Sequence, residues 1–239
     1  MLNRSLTQTN FKMKKSIIFS ALFLSLAASL FGQISVGVRS GVQFSNISET
    51  KLLNEITPSF DYLLSNTSAL AVEFALGDHF AIQPELGFTR KGFVVTESTN
   101  INLFNVPLGL GVKAQARFNY LEMPVLFKAK TGNGPVKFYA EAGPMVGYAL
   151  NGNIATRATG LFNVKLTNTN IDLNTINYNR FEVGAVAGAG VEFDAGFGRF
   201  FVDGRYQQGF TKNADIPLVA DSFRNRGFSA QIGFLLPLN

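Results

Sequence analysis

The chain has 239 residues, of which 46% are hydrophobic and 15% charged, with 24 Phe and neither Cys nor Trp; an ordinary soluble domain carries about 25% charge. The missing Cys excludes disulfides and thiolate metal centres. The formal charge of +5 does not make a basic partner-binding surface: Arg4, Lys12, Lys14 and Lys15 precede residue 33 with no acid among them, and the remainder holds 17 basic and 16 acidic residues, so no basic stripe is left for nucleic acid.

Met13-Lys14-Lys15 opens a leader, followed by the apolar run Ile17–Phe31 and then Gly32-Gln33. That run is 15 residues long, short of the ~20 a spanning helix needs. Basic start, apolar core and small residue make a cleavable signal peptide over residues 1–32, cut after Gly32 or after Ala28, with residues 1–12 as an upstream extension. No later segment is long and apolar enough for a membrane helix. An exported chain of this kind is soluble or a β-barrel.

From Ile34 onward apolar residues recur at every second position, the period of a strand. Ile34, Val36, Val38, Val42 and Phe44 oppose Ser35, Arg39 and Gln43. Leu70, Val72 and Phe74 oppose Glu73; Phe80, Ile82, Leu86 and Phe88 oppose Gln83 and Glu85. Leu121, Met123, Val125 and Phe127 oppose Tyr120, Glu122 and Lys128, and Phe138, Ala140, Ala142 and Val146 oppose Lys137 and Glu141. Phe181, Val183, Val191 and Phe193 oppose Glu182 and Glu192; Phe200, Val202 and Tyr206 oppose Asp203, Arg205 and Gln207; Phe228, Ala230, Ile232 and Phe234 oppose Ser229 and Gln231. Eight strands result, most about as long as the ~9–11 residues a tilted strand needs to cross a bilayer.

The connections alternate. Residues 77–79, 131–135 and 195–198 are tight and carry Gly77-Asp78, Gly132-Asn133-Gly134-Pro135 and Gly196, whereas 46–67, 91–118, 151–180 and 210–227 are long. Short turns at one end and long loops at the other is the layout of an outer-membrane barrel, with both termini in the periplasm and the long loops outside the cell. A soluble barrel would turn its apolar face inward. Here the charged face also holds the glycines, which leave room for Arg and Glu to interdigitate in a narrow lumen. The apolar face carries Phe44, Phe80, Phe118, Phe181, Phe193, Phe200, Phe228 and Tyr148 near strand ends, suited to interfacial girdles. The expected fold is therefore all-β: an eight-stranded antiparallel transmembrane barrel over residues 33–239, with Val125 facing lipid and Ser35 the lumen. Eight strands enclose a space that side chains can fill, so the mixed charges are expected to pair as a plug.

Five segments occur in an order that resembles the PorT-like outer-membrane β-barrel proteins of Bacteroidota. They are Ile82-Gln83-Pro84-Glu85-Leu86 with Arg90-Lys91-Gly92, and Asn119-Tyr120-Leu121-Glu122-Met123-Pro124, which is similar to the family's "YLEIP" segment. Tyr139-Ala140-Glu141-Ala142-Gly143-Pro144, Gly188-Ala189-Gly190-Val191-Glu192 and Val202-Asp203-Gly204-Arg205-Tyr206 complete the set. The resemblance spans residues 33–236; the ending Leu238-Asn239 departs from the aromatic with which such barrels usually finish. It implies an outer-membrane location and lipid as the surrounding partner. Some members are linked to protein secretion, which makes an envelope or secretion-system protein, met through the long loops, the partner it points to.

The chemistry of catalysis is poorly served. His79, the single His, falls in a tight periplasmic turn, away from any Ser–His or Asp–His arrangement at the outer surface. One His and no Cys make a poor metal set. Gly184, Gly188 and Gly190 lie within a strand with no helix after them, so they form no dinucleotide loop. Glu122, Glu141, Glu182 and Glu192 are expected to pair with Arg39, Lys128, Lys137 and Arg205. No catalytic, cofactor or metal residue is assigned. The function expected is a non-enzymatic structural or interaction barrel of the envelope; the alternative is a narrow pore for small solutes.

Overall fold

The structure, a computed structural model, describes residues 33–49, 60–103, 106–132, 134–159, 164–175, 178–213 and 223–238; the leader expected over 1–32 lies outside them. The elements are β1 (Gln33–Glu49), β2 (Phe60–Ala75), β3 (Phe80–Leu103), β4 (Val106–Thr131), β5 (Val136–Thr159), β6 (Val164–Ile171), β7 (Phe181–Asp194), β8 (Arg199–Gly209) and β9 (Phe223–Leu238). Every pairing is antiparallel. Strands β1, β2, β3, β4, β5, β7, β8 and β9 pair in that order, and β9 returns to β1 from Ile34↔Leu238 to Glu49↔Phe223. The ring is closed, so its backbone donors and acceptors are satisfied without an edge in lipid.

The two-residue period decides which face is which. Val38, Leu70, Phe127, Val202 and Ile232 are each more than half exposed, whereas Arg39, Glu73, Glu85, Glu122, Lys128, Glu141, Glu182 and Asp203 are buried. A soluble protein would reverse that distribution. The turns behave as their residues require: Gly77 and Gly196 take φ of 80° and 84°, conformations open to Gly at little cost. Asp194 Oδ1 accepts the Gly196 amide at 2.8 Å.

Two expectations change. The long connections are largely strand: β3 and β4 pair as far as Leu103↔Val106, and β4 meets β5 up to Gly111↔Thr159. A ninth strand, β6, occupies part of 151–180. Above the lipid both faces of a strand meet water, so the apolar/polar alternation fades while the hydrogen-bonded ladder continues. At about 3.3 Å per residue and a tilt of about 40°, the 26 residues of β4 rise on the order of 65 Å. That is more than twice the ~25 Å apolar band. Leu52, Leu53 and Ile56 of the 46–67 connection, expected from the sequence to fold over the mouth or meet a partner, lie outside the described residues, as do Leu161 and Phe162 of 151–180, expected to extend a hairpin or form a contact edge.

β6 and β7 use the same edge of β5. β7 pairs with Val136–Tyr148, and β6 with Gly152–Ala158. One strand column is thus interrupted between β6 and β7, where Leu173 and Tyr178 turn inward.

Candidate functional site

The lumen is built from the inward positions of all eight ring strands. Near the turn end, Glu73 lies between Lys128 (3.4 Å), Lys130 (2.9 Å) and Arg199 (2.7 Å), and Glu192 accepts Lys130 at 2.9 Å and Arg199 at 3.5 Å. Lys128 leads upward, with Glu141 at 3.9 Å. At mid-barrel, Glu85 binds Arg39 (2.7 Å) and Arg205 (2.9 Å), and Arg205 Nε also faces Asp203 (3.1 Å) and Glu141 (2.6 Å). Gln83 Nε2 donates to Glu85 at 2.6 Å and the Tyr139 hydroxyl to Asp203 at 3.0 Å. The Lys128 ammonium lies 4.3 Å from the Tyr139 ring centre, within cation–π range. Gly190 makes room for Tyr139: a Cβ there would stand 2.6 Å from the phenol.

Above this network Leu126, Met145 and Val186 form a small apolar cluster, with Gln207 Nε2 3.4 Å from Met145 Sδ and 3.3 Å from Glu122. Beyond that septum Lys91 pairs with both Glu122 and Glu182. Asn213 and Asn225 also donate to Glu182. Leu173 and Tyr178, from the stretch between β6 and β7, close the top. Tyr178 stacks on Phe118 with centroids 4.6 Å apart, and its hydroxyl lies 2.6 Å from that of Tyr120. Leu173, Ile47 and Ala149 complete this buried lid. Asp172 anchors its start, accepting the Asn174 amide at 3.0 Å and the Thr175 hydroxyl at 3.1 Å. Those hydrogen bonds hold its carboxyl below the usual aspartate range, the Asn174 amide first.

Among the described residues, six cations and seven carboxylates therefore pair inside the barrel. Of the pairs expected from sequence, Glu122, Glu141, Glu182, Glu192, Arg39, Lys128 and Arg205 all take part. Lys137 does not: it is half-buried at the turn-end mouth, where a cavity of about 230 Å³ is also lined by Lys130, Arg199, Asp78 and Asp194. Phe118 is a second correction. It is 4% exposed, against 42% for Phe44, because its even position on β4 points inward with Tyr120 and Glu122; the remaining expected girdle aromatics face outward. Lys91, Lys130 and Arg199 were missed as lumen residues. Parity alone would find Lys130 and Arg199 from their neighbours Lys128 and Phe201, and Lys91 from Glu85, once β3 is known to continue. Nothing in the sequence marks Tyr178 as a lid.

His79 is exposed in the β2–β3 turn, its carbonyl accepting the Lys130 amide at 2.7 Å. Among the described residues no cluster of His, Cys, Asp and Glu could hold a metal ion.

A family model described as outer membrane protein beta-barrel domain matches residues 20–215. The chain belongs to that family. The outer membrane is accordingly its location, with lipid around the apolar wall and the long hairpins outside the cell. The family match stops short of β9, the strand that closes the ring. Solved structures of similar shape include the outer membrane protein OprG from Pseudomonas aeruginosa, 12% identical over 87% of this chain and 97% of that one, TM-score 0.45. The attachment invasion locus protein Ail of Yersinia pestis is 13% identical over 86% and 99%, TM-score 0.37. Neisserial surface protein A is 10% identical over 83% and 95%, TM-score 0.36. No curated protein matches the sequence significantly.

Proposed function

We propose that this outer-membrane barrel is a sealed, non-enzymatic structural or interaction protein of the envelope, which meets its partners through the β3–β6 sheet outside the cell. The observation that carries this reading is the filled lumen: a charge network from Arg199 to Arg39, a septum at Leu126 and Met145, the Lys91 pair and a lid at Tyr178 lie in series. A conduction path would have to break several buried ion pairs, and each broken pair leaves an uncompensated charge. The ordered motifs shared with PorT-like barrels favour a secretion-system protein as the partner class.

The narrow pore is the competing reading, supported by the polar cavity at the turn-end mouth, which reaches Lys130 and Arg199. Planar-bilayer recording of the purified barrel separates the two. The sealed reading expects no steady openings, and none either in Arg205→Ala, whose effect falls on stability. Ion-selective openings that change with Arg205→Ala would overturn it. Crosslinking in intact cells tests the partner: a secretion component captured through β3–β6 supports the role, and crosslinks to lipid alone count against it.

A further inference from the structure

One stretch of the outer wall contrasts with the lumen. Phe88, Leu121, Tyr148 and Phe181 stand opposite one another on β3, β4, β5 and β7, all exposed, and form an apolar row with an aromatic at each end. Aromatics in such rows mark the level where lipid gives way to headgroups. The next outward row is Arg90, Asn119 and Asn151, joined by Arg90 Nε to Asn119 Oδ1 at 2.9 Å and Asn119 Nδ2 to Asn151 Oδ1 at 2.6 Å. Arg117 and Asn153 form the row above, and further up Lys113 faces Arg157. Successive outward rows are about 7 Å apart along the strand, so Arg90 and Arg117 lie within a headgroup layer.

Inside the barrel every cation of the network has a carboxylate partner. On this wall Arg90, Lys113, Arg117 and Arg157 have none among the described residues, and Arg117 donates to the neutral Gln115. Like charges directly opposite on neighbouring strands destabilise a sheet. A cost left uncompensated among the described residues points to an anion outside them.

We infer that Arg90, Arg117 and Arg157, with the amides of Asn119, Asn151 and Asn153, form a docking surface for the phosphate-bearing headgroup of an outer-leaflet glycolipid. Guanidinium forks match phosphate oxygens in pairs, and the amides between them suit sugar hydroxyls. The position directly above the apolar row lets the acyl chains lie on the wall below while the phosphates meet the arginines. A free anion or a soluble polysaccharide would have no use for that placement.

The test uses the full barrel in detergent, with bis-phosphorylated lipid A and chemically dephosphorylated lipid A as probes, bound lipid being counted by native mass spectrometry. The expected result is about ten-fold tighter retention of the phosphorylated lipid, lost in Arg90→Gln/Arg117→Gln/Arg157→Gln and only partly kept when the three become Lys, which keeps the charge but not the fork. Inorganic phosphate at millimolar concentration should not displace it. Equal retention of the two lipids would overturn the inference. So would unchanged binding in the folded Gln variant, displacement by inorganic phosphate, or heparin bound in preference to the lipid. Should the Gln variant not fold, the comparison of the two lipids on the native protein decides.

Discussion

Within the lumen, residues that look alike in sequence carry unequal roles. Glu85 accepts from Arg39, Arg205 and Gln83, while Glu141 has Arg205 and Lys128 near it but no well-formed hydrogen bond to either oxygen. Glu85→Gln should therefore lower the urea midpoint more than Glu141→Gln does. Arg205 faces three carboxylates. Arg205→Ala leaves them short of a cation, a change that costs on the order of 3–5 kcal/mol for a buried pair. Adding Glu141→Gln to Arg205→Ala should restore part of that loss, because one unpaired charge is removed; a double variant no more stable than the single would mean that the network is not coupled. Ser35 shows how a lumen position can mislead. It is buried and accepts Arg199 Nη2 at 2.9 Å, so a new cation there would meet an existing one.

At the scale of the strand, the alternation makes a directional prediction. Val125 shares its outward parity with Met123 and Phe127, both at least half exposed. An Arg at a lipid-facing mid-barrel position costs about 2–4 kcal/mol. Asp78 lies in the exposed β2–β3 turn, in water. Val125→Arg should refold into detergent or lipid with clearly lower yield and stability than Asp78→Arg, and equal tolerance would mean that the faces are reversed. The interrupted β6–β7 column explains why the lid sits where it does. The flanking strands are tied into β5 through Gly152↔Ile171 and Tyr148↔Phe181, so Leu173 and Tyr178 can turn only outward or into the lumen. Burial of Leu173 and Tyr178 favours the lumen.

For the molecule as a whole, closure is the property with a direct readout. The β1–β9 seam is as long as the strands that make it, and a ring without edges offers detergent no place to begin unpairing. The protein should sediment with outer membranes and migrate on a gel in a compact form until it is heated. A single migration position at all temperatures, or recovery in the soluble periplasm, would contradict the closed barrel. The charge ladder and the seam act together: paired charges hold the inner surfaces of strands far apart in sequence, as Arg39 of β1 does with Glu85 of β3.

Sequence by itself determined the barrel, its strand directions, its inner and outer faces and its location. All of these follow from a period of two, from turn residues and from charge kept to one face, each readable over a few neighbouring positions. Only the tertiary structure decided which cation meets which carboxylate, because ring closure and shear bring Lys91 to Glu182 and Arg205 to Glu85 across the lumen. It alone revealed how far β3, β4 and β5 continue above the lipid, since backbone pairing persists where the apolar pattern stops. It alone turned Tyr178 into a lid, because a segment without periodicity takes its conformation from the surface that buries it.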